Sequence, residues 1–121
     1  MQFKILLVDD ASFIRTLLRR IVEENGHYVI GEACNGIEAI SKYKELNPDL
    51  IFMDITMPEM DGITTIKEIR QIDHVVKIVV CSAMSQKKMV LEAVKSGADD
   101  FIEKPFKEEK IIEVLNSFEG L

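Results

Sequence analysis

Five polar residues stand out because each closely follows an apolar run. Asp9 and Asp10 come after Lys4–Val8, Asp54 after residues 50–53, Ser82 after residues 77–81, and Lys104 after Phe101-Ile102. A single aspartate in such a place is usually a helix cap or turn former. Three brought together repel one another, and a folded domain tolerates that only when something offsets the charge. Carboxylate oxygens without a neighbouring histidine or cysteine favour Mg2+ or a similar hard cation, which keeps several waters and takes few protein ligands. One divalent ion and the Lys104 ammonium would neutralise the three carboxylates. A phosphoryl group on Asp54 would then restore an excess of negative charge, able to draw in Lys104 and the Ser82 hydroxyl.

These residues meet only if the runs before them lie side by side. Residues 4–8 read Lys-Ile-Leu-Leu-Val, a continuous run as expected of a strand covered on both faces. Phe13, Ile14, Leu17, Leu18, Ile21 and Val22 then recur at helical spacing, stopped by Asn25-Gly26. A weaker strand follows at Tyr28–Ala33. Ile37, Ile40, Tyr43, Lys44 and Leu46 mark a second helix between Asn35-Gly36 and Asn47-Pro48. Residues 50–53 form a third strand, and Ile63, Ile66, Ile69 and Ile72 give a third helix one apolar residue per turn. Residues 77–81 form a β-branched fourth strand. Met89, Val90, Ala93 and Val94 define a fourth helix ending at Gly97. Phe101-Ile102 is a brief fifth strand, and Ile111, Ile112, Val114, Leu115 and Phe118 face inward from a last helix.

Strict alternation with short connections predicts an α/β domain, a doubly wound (βα)5 parallel sheet with helices on both faces. Ligands of such sheets bind at the carboxyl ends of the strands, where all five polar residues fall. The 121 residues fit one domain spanning 1–121, and 47% apolar residues suffice for a core. A net charge of −6, from 15 basic and 21 acidic residues, argues against general affinity for nucleic acid. The start, Met1-Gln2-Phe3-Lys4, lacks the pattern of a signal peptide, and no apolar run nears the ~20 residues that span a bilayer. Cys34 and Cys81 have no metal-site spacing and read as small buried residues of a reducing, cytoplasmic compartment.

The set Asp9-Asp10, Met53-Asp54-Ile55-Thr56-Met57-Pro58-Glu59-Met60-Asp61-Gly62, Cys81-Ser82-Ala83, Gly97-Ala98 and Lys104-Pro105-Phe106 resembles the receiver domains of response regulators. The likeness spans nearly the whole chain and is strongest to single-domain chemotaxis receivers of Gram-positive, thermophilic and archaeal species. It implies the flavodoxin-like strand order 2-1-3-4-5. It also implies that Asp54 accepts a phosphoryl group from a histidine kinase. Asp10 and Asp54 would hold Mg2+ directly, with the Thr56 backbone carbonyl as a further ligand and Asp9 acting through water. Lys104 would pair with the acyl phosphate, before a cis bond to Pro105. Ser82 would swing toward the phosphoryl group, with Phe101 turning inward behind it.

The same resemblance implies an output surface on the fourth helix, fifth strand and fifth helix, with Gln86, Lys87, Lys88, Lys95, Phe101, Glu103 and Lys107 as candidates. Phe101 replaces a tyrosine found in many relatives, so a hydroxyl contact there is absent. The partners implied are a kinase, a flagellar or archaellar motor switch protein or an adaptor, and a phosphatase, with the chain itself a monomer. Two alternatives remain at this point: an intermediate that hands phosphate to a second histidine protein, and the receiver portion of a larger regulator.

Rival chemistries fit less well. An aspartyl-phosphate hydrolase of the haloacid dehalogenase type needs an acid two residues after its nucleophile, and Thr56 stands there. The chain is therefore expected to be a switch and not a turnover enzyme. A flavodoxin needs a small-residue phosphate loop after the first strand, where Asp9-Asp10 carries the wrong charge. His27 and His74, both expected at the surface, lack the helical setting of a phosphodonor.

Overall fold

The computed structural model describes residues 2–119; Met1, Gly120 and Leu121, the outermost positions of the expected 1–121 domain, lie outside the described residues. Five strands, β1 (Lys4–Val8), β2 (Tyr28–Ala33), β3 (Leu50–Asp54), β4 (Lys77–Ala83) and β5 (Asp100–Lys104), alternate with five helices. The helices are α1 (Ser12–Glu24), α2 (Gly36–Leu46), α3 (Gly62–Arg70), α4 (Lys87–Ser96) and α5 (Glu108–Glu119). A 3-10 turn, Met84–Gln86, precedes α4. The strands form one parallel sheet in the order β2-β1-β3-β4-β5, as expected.

The reversal of strand order falls between β1 and β3, which pair from Ile5↔Leu50 to Val8↔Met53. Asp9 and Asp54, the next residue on each chain, are thereby brought to neighbouring positions on one rim. The period of two sorts the side chains between faces. Leu6, Val8, Ile51, Met53, Ile78 and Val80 pack under α2, α3 and α4. Ile5, Leu7, Leu50, Phe52, Val79, Cys81 and Ile102 pack under α1 and α5. β3 is buried at every position, which explains its unbroken apolar reading. Truncating a core residue such as Phe52 to alanine would cost about 3–5 kcal/mol.

Local chemistry sets the helix ends. Asn35 and Asp61 cap α2 and α3, each accepting a backbone N–H three residues on at 2.8 Å (Glu38 and Thr64). α4 stops at Gly97, whose φ of 122° suits glycine. Several apolar residues read as inward-facing lie elsewhere. Phe13 and Ile37, in the first turns of α1 and α2, are exposed, because both lie off the buried stripes of their helices, Leu18-Ile21-Val22 and Ala39-Tyr43. Ile72 lies beyond the end of α3 and is exposed. Val94 is also exposed, leaving Ala93 as the one fully buried residue of α4.

β4 runs two residues further than its β-branched core. Ser82 is therefore a strand residue paired with Glu103, and Ala83 takes the cap position of the 3-10 turn. β5 is longer too, but only Ile102 is buried, so its sequence signal is faint. His27 is the clearest correction. It is 4% exposed, stacks on Phe3 at 5.0 Å between ring centroids, and its Nδ1 accepts the Phe3 N–H at 3.0 Å. The stacking and hydrogen bond compensate a polar ring for losing water, which a sequence pattern does not show. His74 is exposed as expected; Cys81 is buried, whereas Cys34 is only half-buried.

Candidate functional site

Asp9, Asp54 and Lys104 each continue the alternation of the α1/α5 face: Leu7 then Asp9, Phe52 then Asp54, Ile102 then Lys104. Parity therefore aims all three side chains to one side of the rim. Lys104 Nζ lies 2.9 Å from Asp9 Oδ2 and 3.2 Å from Asp54 Oδ1. Asp9 and Asp54 are buried and Lys104 is half-buried. Asp10 joins them, so that carboxylate oxygens of Asp9, Asp10 and Asp54 all lie within 4.8 Å of one another.

Burial first, and then the charge of Asp9, push the Asp54 carboxyl up from its ordinary range to about 6; Lys104 pulls it down and Asp10 adds a smaller push upward. Burial alone would lower the Lys104 pKa, but the bond to Asp9 and the charges of Asp54 and Asp9 outweigh it and raise the value. The ammonium is thus held as a cation, while the carboxylates remain undercompensated.

The donor set fits a hard divalent cation: only oxygen, clustered, with a charge surplus that such an ion would offset. The three carboxylates are not equivalent. Asp9 already uses both oxygens, one on Lys104 and one on the Ala11 N–H at 2.9 Å, a local turn bond that leads into α1. Asp10 is exposed and makes no side-chain hydrogen bond or ion pair among the described residues. No backbone N–H among the described residues donates to the Thr56 carbonyl. Asp10, Asp54 and Thr56 therefore keep the freer oxygens.

The loop between Asp54 and α3 is tightly built. Gly62 N–H donates to the Ile55 carbonyl at 2.8 Å, and a Cβ on Gly62 would stand 2.2 Å from the Asp54 carbonyl oxygen. Only glycine lets α3 begin so close to the candidate phosphoacceptor. The Lys104–Pro105 bond is cis.

Ser82 differs from the group it was expected to join. It shares the parity of Ile78 and Val80, so its side chain faces α4, and its buried Oγ has no hydrogen-bond partner among the described residues. It lines a cleft of about 290 Å³ together with Val90, Leu91 and Phe101. Phe101 is 41% exposed, outside the core.

The expected output candidates Lys87, Lys88, Lys95, Glu103 and Lys107 are all exposed. Gln86 is instead half-buried and engaged: its Nε2 donates to Thr56 Oγ1 at 2.6 Å, and its Oε1 accepts the Ala83 N–H at 2.8 Å. Sequence reasoning missed the apolar part of this face, Met84, Leu91 and Val94, exposed by 66%, 63% and 47%. The signal was there: α4 carries more apolar residues than one buried stripe needs.

Comparison with known proteins agrees with this architecture. Residues 5–116 match the sequence profile of the response regulator receiver domain, and the chain belongs to that family. It is 58% identical over 113 residues to the chemotaxis protein CheY of Thermotoga maritima, covering 93% of this chain and 94% of that protein. It is 53% identical over 116 residues to CheY of Bacillus subtilis, covering 96% and 97%. Among solved structures it resembles the chain in a CheX-CheY-BeF3-Mg2+ complex from Borrelia burgdorferi, with a TM-score of 0.89, 36% identity, and 96% of this chain and 89% of that one covered. No described helix is long and apolar enough to cross a membrane.

Proposed function

We propose that this chain is a chemotaxis response regulator, switched by a phosphoryl group that Asp54 accepts from a phosphohistidine on a sensor kinase. The observation that carries the reading is the cluster at the β1/β3 rim, where a buried Asp54 sits between an ammonium and two further carboxylates. In the transfer the P–N bond of the donor breaks, a P–O bond forms to an Asp54 carboxylate oxygen, and the released imidazole nitrogen takes a proton. Such chemistry needs positioning and charge neutralisation more than covalent help.

Asp10, Asp54 and the Thr56 carbonyl would hold Mg2+, with Asp9 reaching it through water. The ion would supply positive charge for the transferring phosphoryl oxygens. Lys104 would pair with the acyl phosphate, and Asp9 keeps Lys104 in place. Thr56, which cannot donate an acidic proton, leaves the acyl phosphate as a signal and not an intermediate of rapid turnover.

Output follows from Ser82 and Phe101. The unpartnered Ser82 hydroxyl gains an acceptor when a phosphoryl group stands on Asp54, and its shift frees space that Phe101 enters. The α4–β5–α5 face then changes shape where Lys87, Glu103 and Lys107 ring an apolar centre. Its partners would be a flagellar or archaellar motor switch protein or an adaptor, and a phosphatase. Support for chemotaxis comes from the CheY relatives and their near-complete mutual coverage.

Acetyl phosphate with Mg2+ should add one phosphoryl group by intact mass, and Asp54→Asn should abolish the addition. Full labelling of Asp54→Asn would overturn the assignment. Reverse transfer to a second histidine protein, with swimming unaltered in a deletion strain, would replace motor control by a relay.

A further inference from the structure

We infer that Gln86 is a positioning residue of the switch, a latch that holds the β4–α4 loop in the conformation with Ser82 withdrawn and that phosphorylation must break. The inference rests on the reading of Asp54 as phosphoacceptor and concerns the regulation of that site.

The ordinary explanation of Gln86 is a cap. Its Oε1 accepts the N–H of Ala83, the residue preceding the 3-10 turn, and a glutamine at the third position of a helix often reaches back in this way. That explains one end of the amide. The other end bonds across the rim to Thr56 Oγ1 at 2.6 Å, in the loop that follows Asp54. The assignment of the amide is fixed by chemistry: the Ala83 N–H can only donate, so the oxygen faces it and the NH2 faces the hydroxyl. One side chain therefore joins the two loops that flank the phosphoacceptor.

Ala83 is the residue immediately after Ser82. Ser82 lies on the α4 side of the sheet, whereas Asp54 lies on the α1/α5 side with Cys81, its partner in register. Bringing the hydroxyl from the α4 side toward Asp54 is helped by rotation of the backbone at Ser82-Ala83, and that rotation moves the N–H that Gln86 holds. The buried Ser82 Oγ is unsatisfied as long as the loop stays put. Opposing forces thus meet at adjacent residues: a hydroxyl that gains a partner by moving, and an amide that loses one. Removing the latch shifts the equilibrium toward the moved loop, and a ligand that selects this loop then binds more tightly.

Beryllofluoride, a phosphoryl mimic, can be titrated with saturating Mg2+ into wild type, Gln86→Ala and Gln86→Met, following the amide resonances of Ser82 and Ala83. Methionine keeps length and bulk but has no amide. Losing net hydrogen bonds of ordinary strength should tighten beryllofluoride binding by about three- to tenfold in both variants. Mg2+ affinity without the anion should not change, and the Ala83 amide of the free variants should move toward its bound position. A simple cap would instead lower the melting temperature and leave the anion affinity unchanged or weaker, and that result would overturn the latch. A wild type indifferent to beryllofluoride would overturn the phosphoacceptor reading, and the latch with it.

Discussion

Lys104 Nζ stands 3.2 Å from Asp54 Oδ1, across 50 positions of sequence, with the same nitrogen also on Asp9. One ammonium shared between two buried carboxylates leaves Asp54 short of positive charge. The cluster is thus strained electrostatically even though Asp9, Asp54 and Lys104 are paired with one another. A cation at such a site would offset the surplus negative charge.

The shift of Asp54 makes metal-free stability depend on pH in a defined direction. Its folded pKa of about 6 lies above the value of an unfolded aspartate, so the folded state binds the proton more tightly. The stabilisation is complete below about pH 4 and is lost as pH rises through 6. In chelator, Asp54→Asn should be more stable than wild type at pH 7 by about 1–2 kcal/mol, with the difference vanishing toward pH 4. Urea unfolding of both proteins across that range measures it. A variant less stable at every pH would mean that Lys104 already neutralises the site.

The role of Asp10 can be separated from folding because its carboxylate makes no side-chain hydrogen bond or ion pair among the described residues. Mg2+ at about a hundred times its dissociation constant should stabilise wild type by about 2.7 kcal/mol. Asp10→Asn should fold with near wild-type stability in chelator and lose most of the gain on adding Mg2+. Thermal melts with and without the ion give both quantities. Equal gains in the two proteins would remove Asp10 from the metal site.

How much of this was legible in the sequence follows from where the information resides. Continuous apolar runs marked β1 and β3 because strands buried on both faces can hold little else, and the residues after them had to share a rim. Asp9 and Asp54 were found that way, whereas Lys104 follows only the brief run Phe101-Ile102 of the mostly exposed β5. Tertiary packing decided the rest. Ser82 lies on the other face of the sheet because β4 continues past its β-branched core. Gln86 reads as one more polar residue beside a lysine pair until Thr56, 30 positions away, is brought against it. His27 looks like a surface residue after a helix stop, yet Phe3 folds over it.

Gly62 tests how closely α3 must approach Asp54. In an open helix start, glycine to alanine would gain up to about 1 kcal/mol from helix propensity. Here the added Cβ would meet the Asp54 carbonyl oxygen at 2.2 Å and Ile55 Cα at 2.9 Å, both backbone atoms that cannot swing aside. The clash should win, giving a net loss of about 2 kcal/mol in Gly62→Ala and slower labelling by acetyl phosphate. A variant as stable as wild type would show that the β3–α3 loop shifts freely.

His27 predicts a second pH effect with the opposite sign, at the far end of the sheet. Burial lowers its pKa more than Glu119, 3.7 Å from Nε2, raises it. Nδ1 must also stay unprotonated to accept the Phe3 N–H. An unfolded chain takes up this proton below about pH 6.5 while the folded one resists, so stability present above that pH is lost as pH falls. The Asp54→Asn background removes the opposing titration. In it, His27→Leu should cost about 1–2 kcal/mol at pH 7.5, because the buried Phe3 N–H loses its acceptor. The cost should shrink steadily toward pH 5, where the histidine no longer contributes. A cost independent of pH would mean that His27 acts only through its packing on Phe3.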